Sequence, residues 1–344
     1  MLKHESNREN MSVSEKVVLS VIVPVHNVER FLPRLFQSLE RQDLHQTEVL
    51  FIDDGSTDAS GTLLDEVKQR DHFIVKHQHN EGVAAARNLA LNLAQGDYVC
   101  FIDPDDDISA GYIASLRDAA VRTGADVLVA DWWECRPDRT VPMSLVNFLG
   151  ASCQLSSETA CRLVLQSDLI LGSLWAKAFS ARLFEGNRFP LQRTCSDFVP
   201  CMAAIINARK VMYVPKIHYL YTVSRGDSLQ NSKSEQDLSD FVNVHISVKR
   251  LVMQRYPELG PLARFDLLRS RQQACMSVCT SKAIMRNRRR SVFRSLNRGL
   301  LSSAPFMWKS NYPLKGKIMY TIVASGYGIT QFVMNVKGLL RGNA

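Results

Sequence analysis

The chain has 344 residues, of which 46% are hydrophobic and 22% charged, and its formal net charge is +8. These proportions are ordinary for a globular protein and allow one large domain or two. The eight cysteines are scattered without a CxxC pair, which argues against a disulfide framework or a zinc site and favours a reduced, cytosolic chain. Residues 1–16 are polar and mixed in charge. We therefore expect a disordered tail rather than a signal peptide, with Met1 or Met11 as the start.

Strand and helix patterns alternate along the first 130 residues. Short β-branched runs predict strands at residues 17–25, 48–52, 73–77, 98–102 and 126–130. Apolar residues at helical spacing predict helices between them, at residues 28–41, 60–70, 80–94 and 110–123. This order favours a mostly parallel sheet with helices on both faces.

The later part of the chain is less regular at first and then mostly helical. Residues 131–170 show no clear pattern, and an apolar helix is predicted at residues 199–208. Two short strands are predicted at residues 211–214 and 217–223, and the pattern is mainly helical from about residue 236.

Polar clusters follow three of the predicted strands, at residues 24–27, 53–58 and 103–107. Ligands of parallel sheets bind outside the carboxyl ends of the strands, where these clusters would meet. The third cluster contains four carboxylates, at positions 103, 105, 106 and 107, whose charges repel unless a cation is present. Asp103 and Asp105 are two residues apart, so an extended chain places them on one face, where Mg²⁺ or Mn²⁺ would find oxygen ligands. Taken alone, the cluster could be a solvated acidic turn, and we expect Asp107 to be a helix cap.

Taken in order, the motifs of the chain resemble those of the family 2 glycosyltransferases with the GT-A fold, over roughly residues 18–228. The resemblance rests on Val21-Ile-Val-Pro-Val-His-Asn27, Phe51-Ile-Asp-Asp-Gly-Ser-Thr-Asp58, Asn80-Glu-Gly-Val-Ala-Ala-Ala-Arg-Asn88, Gly96-Asp-Tyr-Val-Cys-Phe-Ile-Asp-Pro-Asp-Asp106, Leu174-Trp-Ala-Lys-Ala-Phe179, Ser196-Asp197 and Tyr219-Leu-Tyr221. Each motif is weak alone, but the ordered set is very specific. It implies an α/β GT-A fold with a mostly parallel sheet flanked by helices. The catalytic domain would span residues 17–230, and residues 231–344 would form a mostly helical C-terminal extension.

The resemblance also implies inverting transfer of a sugar from a nucleotide-sugar, expected to be a UDP-sugar, to an acceptor hydroxyl with Mn²⁺ or Mg²⁺. Asp103 and Asp105 would be the DxD pair, with Asp105 as the direct metal ligand and Asp103 contacting ribose or metal. Asp197 would be the catalytic base. The residues implied around the nucleotide are Pro24, Asn27, Glu29, Asp53, Asp54, Arg87 and Asp103, and Asp53 or Asp54 would bind the base.

Three positions depart from the family pattern. His26 stands where Tyr is usual, and Ser196 precedes the candidate base where Glu is usual. Thr222 stands where a basic residue is frequent, and Arg225, three positions later, is the candidate for a diphosphate contact.

Several of these residues also have simple structural roles. Asp54 could close the turn that follows it, and Asp197 could be only the N-cap of the next helix. We expect Trp175 to pack in the interior and Lys177 to lie on the surface. His218, beside the tyrosines, is expected in the core.

Other function classes account for fewer of the motifs. A nucleotidyltransferase on a related fold would need a Gly-rich loop after the first strand, and residues 21–30 contain no glycine. A phospho-acceptor signalling module also clusters acids at strand ends but is far shorter. A non-catalytic nucleotide- or sugar-binding protein stays open at this point, although it would not need Asp197.

The C-terminal region is strongly basic. The last 78 residues contain 14 Lys and Arg and no Asp or Glu, whereas the first 266 contain 28 basic and 34 acidic residues. Residues 319–336 are uncharged but too polar for a membrane span, and basic residues flank them. This pattern favours an interfacial helix on an anionic membrane, which would place the enzyme at the inner face of a cytoplasmic membrane, near a lipid-linked or polysaccharide acceptor. The alternative is a basic helical subdomain that packs on the catalytic core. No nucleic-acid recognition motif is present.

Overall fold

The computed structural model describes residues 16–136, 138–143, 151–166, 170–223 and 233–342. The predicted tail, apart from its last residue, and Arg225 lie outside the described residues. The strands are β1 (Leu19–Val25), β2 (Thr47–Asp54), β3 (Phe73–Gln78), β4 (Tyr98–Phe101), β5 (Asp107–Ile108), β6 (Val127–Cys135), β7 (Thr140–Met143), β8 (Cys153–Leu155), β9 (Lys177–Ser180) and β10 (Val211–Thr222). The α-helices are α1 (Leu32–Glu40), α2 (Ser60–Val67), α3 (Val83–Leu93), α4 (Tyr112–Thr123), α5 (Ser157–Gln166), α6 (Phe198–Asn207), α7 (Glu235–Arg255), α8 (Gly260–Thr280), α9 (Arg286–Asn297), α10 (Ala304–Lys309), α11 (Leu314–Ala324) and α12 (Tyr327–Gly342).

The strands of the described chain form one mixed sheet in the order β3-β2-β1-β4-β9-β6-β10-β5, with β7 paired to β6 and β8 to β10. Strands β1 to β4 run parallel to one another, and β6 pairs in parallel with β10. Strand β9 runs antiparallel between β4 and β6. The predicted α/β sheet with flanking helices is confirmed. The order brings the loops after β1, β2 and β4 to one edge.

Both faces of the sheet are buried, as the nearly continuous apolar runs of β1 and β2 require. Ile22, Ile52 and Phe101 pack in one core cluster. Val23 and Phe51 pack in the other, because successive residues of a strand point to opposite faces.

Three local predictions differ from the structure. The two strands predicted at residues 211–223 are one strand, β10, whose pairing with β6 shifts between Val214 and His218. The region predicted to be irregular contains β7, β8 and α5, and β6 extends through Cys135. His218 is only half-buried, against Trp133 with ring centroids 4.5 Å apart, so its predicted core position is wrong.

The C-terminal helices pack on the α/β part and on one another. Val248, Val252 and Leu259 join the first core cluster. A third cluster lies among the helices and contains Phe293 and Tyr320.

The uncharged stretch 319–336 is not one helix. Helix α11 ends at Ala324 and α12 begins at Tyr327, since Gly326 between them has φ +122°, which favours glycine. No helix in the described part of the chain is both long and apolar enough to cross a membrane.

Candidate active site

The acidic turn, residues 103–107, follows β4 and is fixed by the hydroxyl of Tyr219. This hydroxyl accepts a hydrogen bond from the backbone N–H of Asp103 (3.0 Å) and donates one to Asp106 Oδ2 (2.8 Å). The N–H of Thr222 donates to Asp106 Oδ1 at 2.9 Å. Asp106 therefore points inward and is 2% exposed. Burial raises its pKa well above the ordinary value, and the charges of Asp103 and Asp105 raise it further.

The outer side of the acidic turn is held by α1. Arg34 donates to the backbone carbonyl of Asp105 at 2.8 Å. Ser38 donates to Asp107 Oδ1 at 2.6 Å, and Asp107 lies in β5, whereas α4 begins after Gly111. The prediction that Asp107 caps a helix is therefore wrong. Asp106 and Asp107 both have structural partners, and Asp103 and Asp105 remain partly exposed.

The tyrosine that fixes the turn, Tyr219, belongs to an aromatic stack. Trp175 stacks on Tyr219 and on Tyr221, with ring centroids 5.1 Å and 5.0 Å apart and the planes inclined by 10° and 14°. Trp175 is buried, as predicted.

Lys177 is buried and does not lie on the surface, so that prediction is wrong. It is 2% exposed, and its Nζ donates to the carbonyls of Ser173 (2.9 Å) and Trp175 (3.3 Å). Burial lowers its pKa. The side chain thus holds the loop that carries the stacked tryptophan.

Arg87, near the start of α3, connects the acidic turn with the candidate base. It is buried, and its guanidinium donates to Asp103 Oδ1 at 3.1 Å. Its Nε has no hydrogen-bond partner in the described residues. Burial raises the pKa of Asp197, the charge of Arg87 lowers it, and that of Asp103 raises it. Asp103, Arg87 and Asp197 therefore form one electrostatic group.

Asp197 directly precedes α6, but its side chain makes no capping hydrogen bond. Its backbone carbonyl accepts from the N–H of Cys201 at 2.9 Å, so the first turn of the helix fixes its backbone. The side chain is therefore not used as an N-cap.

Asn88 ties α3 to the loop that leads to Asp197. Its Nδ2 donates to the carbonyl of Phe189 and its Oδ1 accepts from the N–H of Phe189, both at 2.9 Å. Asn88 and Tyr219 belong to motifs recognised in the sequence, but their roles were missed, because a pairing across about 100 residues leaves no local signal.

The loops after β1 and β2 bind each other. Asn27, with φ 51°, accepts from the N–H of Thr57 at 2.8 Å through Oδ1. Glu29 Oε2 accepts from the N–H of Ala59, the residue before α2, at 2.7 Å. Pro24 is buried in β1 and aligned with Ile52 of β2.

Asp53 and Asp54 are both buried and hydrogen-bonded within the protein. Asp53 accepts from the N–H of Ser56 (3.0 Å) and from His77 (2.8 Å). Burial alone would raise the pKa of Asp53, but these hydrogen bonds lower it below the ordinary value. It is Asp53, rather than Asp54, that closes the following turn.

The carboxylate of Asp54 instead holds the segment before α3. It accepts from Gln78 Nε2 (2.7 Å) and from the N–H groups of Glu81 (2.9 Å) and Gly82 (2.8 Å). The carbonyl of Asp54 accepts from His26 Nδ1 at 2.9 Å. His26 thus has a structural partner at the position where it departs from the family pattern.

The residues of the acidic turn fit a divalent cation that is shared with a diphosphate. In the described chain, no group of three or more His, Cys, Asp or Glu is arranged to hold a metal by itself. Mg²⁺ is usually held through one or two carboxylates plus substrate phosphates and water. Asp103 and Asp105 supply two such carboxylates, and their charges add to the effect of burial in raising the pKa of Asp106.

The fold is that of the GT-A glycosyltransferases. TarS 1–349 of S. aureus, solved in complex with UDP, superposes with a TM-score of 0.62 at 21% identity, covering 90% of this chain and 91% of TarS 1–349. The mannosyltransferase PcManGT of Pyrobaculum calidifontis, solved with GDP-Man and Mn²⁺, gives a TM-score of 0.51 at 16% identity, with 90% and 86% coverage.

The sequence comparisons give the family. The family model for glycosyl transferase family 2 matches residues 20–205, and the chain belongs to this family. Glycosyltransferase GlyA of Streptococcus pneumoniae is 33% identical over 224 residues, which cover 63% of this chain but 32% of GlyA. Putative glycosyltransferase EpsH of Bacillus subtilis is 26% identical over 289 residues, with 74% and 82% coverage. The predicted enzyme class, a glycosyltransferase, is confirmed.

Proposed function

We propose that this enzyme transfers a sugar, with inversion, from a nucleotide-sugar to an acceptor hydroxyl, in a reaction that depends on Mn²⁺ or Mg²⁺. The observation that supports this most strongly is the electrostatic group of Asp103, Arg87 and Asp197. It combines an acidic side chain suited to a metal–diphosphate complex with a second carboxylate suited to proton transfer. Inverting transfer needs both groups at one site.

Asp197 is the catalytic base in this proposal. As the acceptor oxygen forms its bond to the anomeric carbon, the bond to the diphosphate breaks and the hydroxyl proton passes to the carboxylate of Asp197. The raised pKa of Asp197 makes it a stronger base than an exposed aspartate. The charge of Arg87 opposes this rise of the pKa and so favours the ionised carboxylate that a base requires.

Asp105 and Asp103 would hold the divalent cation together with the diphosphate of the donor. The bound cation would neutralise the charge that the diphosphate gains as the sugar departs. Arg87 orients Asp103 through its hydrogen bond. Arg225 is kept as a candidate diphosphate contact.

The nucleotide would lie against the loops after β1 and β2, beside Arg87 and Asp103. The residues proposed to shape this pocket are Pro24, Asn27, Glu29, Asp53 and Asp54. Because internal hydrogen bonds occupy the carboxylates of Asp53 and Asp54, we propose that they set the loop conformation and that one of them also accepts from the base. UDP is the proposed nucleotide, since TarS was solved with UDP and with UDP-GlcNAc.

The acceptor is proposed to be a saccharide, either lipid-linked or a growing polysaccharide. Two relatives at 26–27% identity are named poly(ribitol-phosphate) glycosyltransferases, so their acceptors are polymers.

We also propose that the enzyme acts in the cytoplasm, on the inner face of the membrane. Catalysis would take place in residues 17–230, and residues 231–344 would form the helical extension.

Calorimetry tests the donor site. UDP, GDP, CDP and dTDP are titrated into the protein with Mn²⁺ and with EDTA. We expect one nucleotide to bind only with metal, and Asp105→Asn to abolish this binding. Asp107→Asn is the matched control, because Asp107 lies in the same turn but bonds to Ser38; it should bind as the wild type does. The metal role of the turn would be refuted if the nucleotide bound as tightly with EDTA as with Mn²⁺, or as tightly to Asp105→Asn as to the wild type.

A further inference from the structure

Helix α12 exposes an apolar stripe. Ile329, Phe332 and Val336 are 53%, 69% and 39% exposed and recur at helical spacing. The opposite side of the helix faces the protein: Thr330 is buried and donates to the carbonyl of Gly326 at 2.8 Å. Packing therefore fixes which side of α12 is outward.

Exposed apolar side chains concentrate in this part of the molecule. Among the described residues, eleven large apolar side chains are exposed, and eight of them lie after Lys282. Only three, Val121, Leu191 and Met253, lie elsewhere. Scattered exposed apolar residues need no explanation, but a concentration on one region marks an interaction surface.

Arginines lie directly beside the stripe. A cleft of about 300 Å³ is lined by Arg290 and Arg294 of α9, by Ile329, and by the residues that begin α12. Both arginines are exposed, and neither forms a salt bridge in the described chain. No acidic residue occurs after Asp266, so the charged side chains that α9 and α12 themselves contribute are all basic.

We propose that the docking face, formed by Ile329, Phe332, Val336, Arg290 and Arg294, binds an anionic lipid bilayer. The apolar side chains would enter the acyl boundary, and the arginines would contact lipid phosphates. A second copy of the chain is a poor partner, since two such faces would bring like charges together. A soluble polyanion would match the charge but would leave Phe332 in water.

This proposal specifies the membrane contact suggested above and rests on that part of the proposed function, but it does not depend on the donor site. Its success or failure is therefore separable from that of the glycosyl-transfer proposal. Nucleotide binding, measured on the same variants, should be unchanged.

Co-flotation of the full chain with vesicles tests the docking face. The vesicles are phosphatidylcholine alone and an equimolar mixture with phosphatidylglycerol. We expect the protein to bind the mixed vesicles, and we expect high salt to weaken this binding. Phe332→Ser should weaken it by at least about tenfold, and Arg290→Gln and Arg294→Gln by about fivefold each. Val121→Ser, which removes a side chain that is 67% exposed on α4, is the matched control and should bind normally.

Each contrary result overturns the proposal. Equal binding to both vesicle types removes the need for anionic lipid. Binding that Phe332→Ser leaves unchanged excludes the stripe as the contact. A dimer in sedimentation velocity that Phe332→Ser dissociates assigns the face to a second copy. Binding to heparin that is tighter than binding to vesicles and is unaffected by Phe332→Ser assigns the arginines to a soluble polyanion.

Discussion

Tyr219→Phe should loosen the acidic turn while leaving the aromatic stack in place. The substitution keeps the ring that stacks on Trp175 and removes only the hydroxyl. That hydroxyl accepts from the N–H of Asp103 and donates to Asp106. In the variant, Asp106 keeps the N–H of Thr222 as a donor, but the link across the turn is lost.

The expected loss of stability follows from these two bonds. A hydrogen bond to a charged group contributes about 1.5–3 kcal/mol, and a buried donor left without a partner costs about 1–3 kcal/mol. The Asp103 N–H is only part-buried, so water can replace some of its bond. We therefore expect the free energy of unfolding to fall by about 2–4 kcal/mol. Displacement of Asp103 should also weaken metal-dependent nucleotide binding by about tenfold or more.

Tyr213→Phe separates the two effects. Tyr213 lies on the same strand, is buried, and donates to the buried Asp131 at 2.7 Å, away from the acidic turn. Urea unfolding followed by circular dichroism should show a loss of stability in both variants. Calorimetry with nucleotide and Mn²⁺ should show weaker binding only in Tyr219→Phe. The positioning role of the hydroxyl would be refuted if Tyr219→Phe lost as much stability as Tyr213→Phe but bound the nucleotide with wild-type affinity.

Three further variants test the electrostatics and the packing of the site. Arg87→Gln removes a charge that lowers the pKa of Asp197, so the acid limb of the pH–rate profile should move to higher pH; a limb that stays in place contradicts this coupling. The folded-state pKa of Asp53 lies below the ordinary 3.8, so its carboxylate stabilises the fold above that pH and loses this contribution as the pH falls through the folded pKa. Between pH 5 and pH 3, the free energy of unfolding measured in urea should therefore fall less in Asp53→Asn than in the wild type. An equal fall in both proteins would contradict this role of the Asp53 carboxylate. Asn88→Ala breaks both hydrogen bonds to Phe189 and should cost about 1–3 kcal/mol in urea unfolding, with kcat reduced more than donor affinity; equal reductions would argue against a positioning role.

The elements of the α/β half follow from local sequence signals. The apolar runs of β1 and β2 and the helical spacing in α1 act over a few residues, so the sequence alone predicts them. Parallel order then places the acidic turn and the loops after β1 and β2 at one edge, without any knowledge of packing.

The direction of individual side chains depends on long-range partners and could not be predicted in this way. In the sequence, Asp106 looks like an equivalent of Asp105, and Asp107 is predicted to cap a helix. In the structure they bond to Tyr219 and Ser38, far away in the chain. In the sequence, Lys177 looks like a surface residue, but in the structure its ammonium group donates to the carbonyl of Ser173 and is buried.

The break between α11 and α12 had a weak local signal. Gly326 is one of several small and polar residues in the uncharged stretch, and nothing in the sequence distinguishes a glycine that ends a helix from one tolerated inside it. In the structure, the positive φ of Gly326 shows that this glycine separates the two helices.

The proposed reaction depends most directly on Asp197, which takes the proton of the acceptor. The direct test uses the sugar nucleotide whose nucleotide binds in the calorimetric experiment. The rate at which free nucleotide is released from it, with water as a slow acceptor, is measured for the wild type and for Asp197→Asn. If Asp197 is the base, the variant should show unchanged metal-dependent donor binding and a rate lower by roughly 10²–10⁴-fold. A variant that binds the donor and turns it over at the wild-type rate would show that Asp197 is not the base.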